Sequence, residues 1–147
     1  MTSDPHDLNR FLEAQQRDYA RAMTELRQGR KLTHWMWYIF PQLDGLGFSP
    51  TARIYAIRDL DEARAYLDHP VLGPRLVACV ETLLGLRERS AEAIFGFPDV
   101  WKLRSCATLF ACVSPKGSVF ERLLDQYYQG EQDDKTLNLL GLTEAKP

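Results

Sequence analysis

Residues 70–86, with the sequence PVLGPRLVACVETLLGL, decide the fold class of this chain. Their apolar side chains recur at intervals of three and four residues, at Leu72, Leu76, Cys79, Val80 and Leu83. Because an α-helix has 3.6 residues per turn, these side chains form one stripe along a helix. The segment therefore predicts an amphipathic α-helix from Pro70 to about Leu86, with one face in a hydrophobic core.

The remaining segments give the same kind of signal. Short polar residues that favour helix N-termini stand before the apolar-periodic segments, at Asp4, Ser49, Asp59, Ser90 and Asp133. The other predicted helices span about 5–28, 50–57, 59–68, 91–95, 98–113, 118–128 and 135–140. No stretch alternates with a period of two residues for long. We therefore predict an all-α fold, a compact single-domain array of seven or eight short helices over residues 1–147, with a core at about 5–141.

Composition and charge exclude whole classes of protein. The chain has 147 residues, of which 45% are apolar and 26% charged, so it is neither disordered nor fibrous. Its 18 basic and 20 acidic side chains give a net charge of −2, so we expect no nucleic-acid partner and no anionic membrane surface. The first ten residues lack the apolar run of a signal peptide, and residues 35–40 are too few to span a bilayer. We therefore expect a cytoplasmic protein.

Cysteine and histidine usage indicates neither a metal nor a cofactor. The three cysteines, an odd number without a C-x-x-C motif, favour reduced thiols over a disulfide framework. The three histidines have no ligand spacing, and no zinc motif is present. We therefore expect no metal and no cofactor.

Residues 33–42, THWMWYIFPQ, hold four of the sixteen aromatic side chains. Thr33 favours a short capped helix that the proline ends, and a buried strand is the alternative because nearly every position is apolar. One hypothesis is a pocket in which Trp35 or Trp37 stacks on a planar ligand and His34 exchanges a proton. The other hypothesis, favoured for each residue alone, is that these aromatic side chains belong to the core.

A glycine-rich segment follows the aromatic one. Gly45 and Gly47 precede Ser49 at a predicted helix start, where free backbone N–H groups can hold a phosphate. The segment lacks the strand and the third glycine of a dinucleotide site, so an ordinary turn is the favoured interpretation.

The predicted helix 98–113 carries the last candidate binding residues. Lys102 and Ser105 share one face and could line a cleft for an anion, whereas a surface ion pair between Lys102 and Asp99 is the favoured interpretation. The candidate ligand-binding residues are His34, Trp35, Trp37, Gln42, Gly45, Gly47, Ser49, Lys102 and Ser105.

Three strings of this sequence, THWMWYIFPQ at 33–42, GLGFS at 45–49 and IFG at 94–96, carry a family resemblance. The chain resembles the bacterial and fungal family of domain of unknown function 1810 over about residues 7–141, and most of all a mycobacterial member of this length. The resemblance implies a mainly helical fold, partly armadillo-repeat-like, with no established activity, cofactor or catalytic residue. The calpastatin label that such sequences often carry gets no support, because that inhibitor class is disordered.

Two functions follow from these observations. We favour a protein-interaction or helical scaffold module, in which exposed aromatic side chains anchor a protein or peptide partner. The alternative is a binding protein for a small nucleotide- or phosphate-like anion, with hydrolase or transferase activity. In that case His34 would be the acid–base, and Lys102 or Arg30 would stabilise charge. The sequence offers no convincing nucleophile, so it does not decide whether the chain is an enzyme, and it does not indicate the oligomeric state.

Overall fold

Nine α-helices follow one another in the computed structural model, which describes residues 4–142. They are α1 (Asn9–Arg27), α2 (Met36–Ile39), α3 (Pro50–Ile54), α4 (Leu60–Asp68), α5 (Leu72–Leu84), α6 (Ala91–Phe95), α7 (Asp99–Ala111), α8 (Val119–Tyr128) and α9 (Asp134–Leu140). The all-α prediction is confirmed, although the described residues form nine helices rather than seven or eight. The armadillo-like character stays a prediction.

Most helix starts lie where the capping residues predicted them. In each of five helices a serine or aspartate side chain accepts the backbone N–H three residues further on, at Ser49, Asp59, Ser90, Ser118 and Asp133. Such a cap contributes about 1 kcal/mol because it satisfies a donor that the first turn leaves unpaired.

Several predicted helices are shorter in the structure, and two of the differences have a visible cause. The first helix begins at Asn9 rather than at Pro5, because Asp4 accepts the N–H groups of Leu8 and Asn9 across a preceding turn. The aromatic segment forms only the four-residue helix α2, and Thr33 does not cap it. The Thr33 side chain donates instead to the carboxylate of Glu25.

Helix α5 occupies the centre of the fold, in contact with α1, α4 and α8. The whole stripe that the sequence predicted for it is buried. Gly73 lets α5 approach α4, because a Cβ at this position would lie 2.0 Å from the carbonyl oxygen of Leu67. The rings of Phe11, Tyr66 and Phe110 continue the core from α1 through α4 to α7, with centroids 5.1 and 5.4 Å apart.

The segments around α3 are held together by backbone pairing and by one arginine. Leu43 and Ile57 form an isolated parallel bridge. Arg10 of α1 reaches across to the connection between α3 and α4, with all five of its bonds between 2.7 and 2.8 Å. The acceptors are the carbonyl oxygens of His6, Asp7, Ile54 and Ala56 and the buried carboxylate of Glu62.

The length and the hydropathy of the helices show whether any of them could cross a membrane. Among residues 4–142, no helix combines the length and the apolar character that crossing a membrane requires.

Candidate functional site

The loop between α1 and α2 is organised by the buried carboxylate of Glu25. This carboxylate accepts the backbone N–H groups of Leu32 (2.6 Å) and Thr33 (2.9 Å), the hydroxyl of Thr33 (2.6 Å) and the indole Nε1–H of Trp35 (3.0 Å). Burial alone would raise the pKa of Glu25, but these four hydrogen bonds outweigh it and lower the pKa to about 2. The carboxylate is therefore ionised and fixes the path of residues 31–35.

Trp35 is part of the core rather than of a pocket. Its side chain is fully buried, and its ring packs against Phe40 and Phe95 at centroid distances of 6.2 and 6.4 Å. The Nζ of Lys31 lies 5.2 Å from the same ring. A ring enclosed in this way cannot stack on a ligand, so the structure gives Trp35 the core role that the sequence favoured.

Two lysines share one carboxylate at the start of α7. Asp99 lies 2.9 Å from the Nζ of Lys31 and 3.6 Å from the Nζ of Lys102. The Lys31 side chain is only 8% exposed, whereas that of Lys102 is 28% exposed. The ion pair between Lys102 and Asp99 that the sequence favoured is therefore present, but the buried Lys31 is the closer partner of the carboxylate.

Three of the predicted binding residues meet at the surface around Trp37. The ring of His34 lies 6.5 Å from that of Trp37, and the Nζ of Lys102 lies 5.5 Å from the Trp37 ring centroid. A lysine at this distance over an indole makes a cation–π contact. We call His34, Trp37 and Lys102 the Trp37 surface.

Gln42 and Gly47 also lie near Trp37. They line a cleft together with Trp37, Ala52 and Tyr55. Its volume is about 10 Å³, which is no more than one water molecule needs. A Cβ on Gly47 would lie 2.7 Å from that of Ala52, so the close packing here requires a glycine. Trp37 and four other predicted residues therefore lie together, but they enclose no space for a nucleotide.

The other predicted residues lie elsewhere or are engaged in the fold. Gly45 faces the side chain of Leu139 on α9. The Ser49 hydroxyl caps α3 by accepting the N–H of Ala52 at 3.1 Å. The Ser105 hydroxyl is buried and donates to the carbonyl oxygen of Trp101 one turn earlier, at 3.1 Å. None of these three groups joins the Trp37 surface.

The described residues hold no set of metal ligands. Among residues 4–142, no group of three or more histidine, cysteine, aspartate or glutamate side chains could hold a metal ion. Cys79 and Cys106 are buried, and Cys112 at the end of α7 is half-buried. Burial raises the pKa of all three thiols, to about 12 for Cys79. None of them is therefore activated as a nucleophile.

An exposed aromatic pair at the start of α7 was not predicted from the sequence. Phe97 is 61% exposed and Trp101 54% exposed, and their rings meet edge to face with centroids 5.0 Å apart. The pair spans the first turn of α7, on which Asp99 and Lys102 also lie. The available signal was the spacing of four residues between two aromatic side chains around a predicted helix start.

The comparisons with known proteins agree with the fold. The family model described as "Protein of unknown function (DUF1810)" matches residues 5–140. The crystal structure of the conserved hypothetical protein Rv1873 from Mycobacterium tuberculosis is similar with a TM-score of 0.92 and 50% identity, over 95% of this chain and 100% of that chain. No curated protein matches the chain. The family match covers most of the chain, and it confirms the resemblance carried by the strings at 33–42, 45–49 and 94–96: the chain belongs to the DUF1810 family of unknown function.

Proposed function

We propose that this protein is an interaction module that docks a partner protein or peptide on the first turn of α7. The observation that carries the proposal is the exposed pair of Phe97 and Trp101, whose rings already contact each other. Tryptophan is the side chain most enriched among residues that dominate binding energy at interfaces. Because the two rings support each other before a partner arrives, little side-chain freedom is lost on binding.

The charges around the pair indicate the chemistry of the partner. Asp99 is shared by Lys31 and Lys102, so these three side chains together carry one positive charge in excess. Lys102 is the more exposed of the two lysines and the more weakly paired. A partner segment with a large apolar side chain next to an aspartate or glutamate would place the apolar group on the rings and the carboxylate at Lys102.

The volume around Trp37 favours docking over an enclosed small ligand. A nucleotide-like anion needs a pocket of several hundred cubic ångströms, and small-molecule sites span about 300–1,000 Å³. The cleft that Trp37, Gln42 and Gly47 line holds about 10 Å³. His34 and the Trp37 ring remain at the surface beside Lys102, where they can extend a docking face.

The test compares the partner proteins captured by the unaltered protein with those captured by two surface variants. The double variant Phe97→Ser with Trp101→Ser removes the aromatic pair, and Ile54→Ser removes an apolar side chain that is 57% exposed on α3. A partner counts only when the unaltered protein and Ile54→Ser retain it and the double variant loses it. Thermal melting checks that both variants are folded.

Calorimetric titration with that purified partner then tests the role of the Lys102 charge. We expect Lys102→Glu to weaken binding at least tenfold, because it repels the carboxylate that the lysine should attract. Capture of the same partners by the double variant as by the unaltered protein would contradict the proposal.

A further inference from the structure

Another cleft lies between the start of α1 and the end of α4. Its volume is about 610 Å³, within the range of small-molecule sites. Its apolar wall comes from Leu8 and Leu12 of the α1 region and from Ala65 of α4. Its polar groups include Asp4 and His69, which lie far apart in the sequence and meet only in the fold.

Asp4 supplies a fixed negative charge to this cleft. Its two carboxylate oxygens accept the backbone N–H groups of Leu8 at 2.8 Å and Asn9 at 2.9 Å. These hydrogen bonds, that of Asn9 first, lower the pKa of Asp4, so the group is ionised at neutral pH. Each oxygen keeps lone-pair capacity for a further donor. Asp4 is the one acidic side chain among the described residues that line the cleft, and no lysine or arginine lies among them.

His69 supplies a hydrogen-bond donor of defined tautomer. Its Nδ1 accepts the backbone N–H groups of Val71 at 3.1 Å and Leu72 at 3.2 Å, so it caps the start of α5. A nitrogen that accepts in this way carries no proton, and the ring proton therefore lies on Nε2. The ring lines the cleft, and its Nε2–H can donate to an acceptor on a ligand.

We propose that this cleft binds a small organic cation with an apolar body. An ammonium group would pair with Asp4, a ring or aliphatic body would pack on Leu8, Leu12 and Ala65, and a hydrogen-bond acceptor would meet the Nε2–H of His69. The guanidinium of Arg10 lies outside the lining of the cleft and is occupied by five protein acceptors. An anion would be repelled by Asp4, and a neutral ligand of the same size would lack the ion pair with it.

The test uses three probes of one size that differ in charge: benzylamine, benzyl alcohol and benzoate. Each is titrated at neutral pH into the ¹⁵N-labelled full chain, and the amide signals of Leu8, Asn9 and His69 are followed. We expect saturable shifts with benzylamine and binding at least tenfold weaker with the alcohol and the benzoate. Equal binding of the alcohol or the benzoate would overturn the proposal, and so would the absence of a saturable shift with benzylamine.

Matched variants locate the binding. Asp4→Asn removes the charge and keeps one acceptor oxygen for the N–H groups of Leu8 and Asn9, and we expect it to weaken benzylamine binding at least tenfold. Asp7→Asn removes the same charge three residues away, outside the lining of the cleft, and should bind like the unaltered chain. Ala65→Leu adds three carbon atoms to the apolar wall, which narrows the cleft there and should weaken benzylamine binding. Equal weakening by Asp4→Asn and Asp7→Asn would show a general charge effect and overturn the proposal.

His69→Asn gives the test of the donor. The asparagine Oδ1 can take over the two N–H groups that Nδ1 accepts, while the Nε2–H is lost. We expect weaker binding of 4-(aminomethyl)phenol, whose hydroxyl can accept that N–H, and unchanged binding of benzylamine. An unchanged affinity for both probes would overturn the role assigned to His69, while thermal melting checks the cap.

Discussion

The carboxylate of Glu25 and the indole of Trp35 are joined by a hydrogen bond of 3.0 Å inside the core. This bond ties the end of α1 to the start of α2, and the same carboxylate holds the two backbone N–H groups between them. A charged group in the core is therefore the organising centre of the aromatic segment. The surface position of Trp37 depends on it, because Trp37 lies two residues beyond Trp35 in the same segment.

We expect Glu25 to make the free energy of unfolding depend on pH in the acid range. Its pKa is about 2 in the folded protein against an ordinary value of 4.5, so its contribution is present above about pH 4.5 and is lost as the pH falls towards 2. We expect Glu25→Gln to lower the free energy of unfolding at pH 7 by about 2 kcal/mol and to flatten the pH dependence in that window. Urea denaturation at several pH values measures both effects.

The control for Glu25 is Glu81→Gln, which changes an exposed glutamate of α5. This variant should change the free energy of unfolding by less than about 0.5 kcal/mol. A slope between pH 4.5 and 2 that is as steep in Glu25→Gln as in the unaltered chain would contradict the assignment.

The two lysines that share Asp99 should differ in their contribution to stability. Lys31 is nearly buried and lies 2.9 Å from the carboxylate, whereas Lys102 is more exposed and lies 3.6 Å away. We expect Lys31→Met to cost about 2 kcal/mol and Lys102→Met less than about 1 kcal/mol. Denaturant titration of the two matched variants gives the comparison, and equal losses would show that the difference in burial has no energetic effect.

Gly73 should tolerate no side chain. A Cβ there would lie 2.0 Å from the Leu67 carbonyl oxygen, so α4 and α5 would have to separate. We expect Gly73→Ala to destabilise the fold by about 3 kcal/mol although alanine favours helices. Gly85→Ala is the control. A Cβ at Gly85 would lie 3.4 Å from the nearest other atom, and the φ of −76° at this position suits alanine. The melting temperature should fall for the first variant and stay level or rise for the second.

Arg10 should not be replaceable by lysine. A guanidinium offers five donors in a plane, and here all five bonds are made, whereas an ammonium offers three from a single atom. We expect Arg10→Lys to lower the free energy of unfolding by about 2 kcal/mol, since the buried Glu62 and several carbonyl groups lose their donors. Arg53→Lys, at an exposed position on α3, should be nearly neutral. Similar losses of unfolding free energy in the two variants would contradict the stabilising role assigned to the five hydrogen bonds of Arg10.

The sequence predicted the features of the fold that depend on neighbours within one helical turn. The caps at Ser49 and Asp59 and the apolar stripe of α5 are of this kind, because capping and periodicity operate over three or four residues. The length of α2 could not be predicted in this way. The start of α2 is set by Glu25, which lies on α1 and accepts hydrogen bonds from Thr33 and Trp35.

The candidate site was predictable only in part, for the same reason. His34 and Trp37 are three residues apart in the sequence, so their proximity is a local feature. The approach of Lys102 to Trp37 is a tertiary contact that no local pattern contains. The cleft between Asp4 and His69 is likewise formed by α1 and α4 together, and each residue alone has a sufficient local role as a cap.

Because the three cysteines differ in burial, the protein can be labelled with a spectroscopic probe at a single native cysteine. Cys79 and Cys106 are sealed in the core, so a maleimide spin label or dye should attach at the half-buried Cys112 without any engineered cysteine, slowly and best above neutral pH because the pKa of this thiol is raised. Cys112 follows the last residue of α7, eleven residues after Trp101 in the first turn, and eleven residues of helix span about 16 Å. That separation lies within the working range of distance measurements by fluorescence transfer from tryptophan, so an arriving partner could be followed from a reporter outside its footprint.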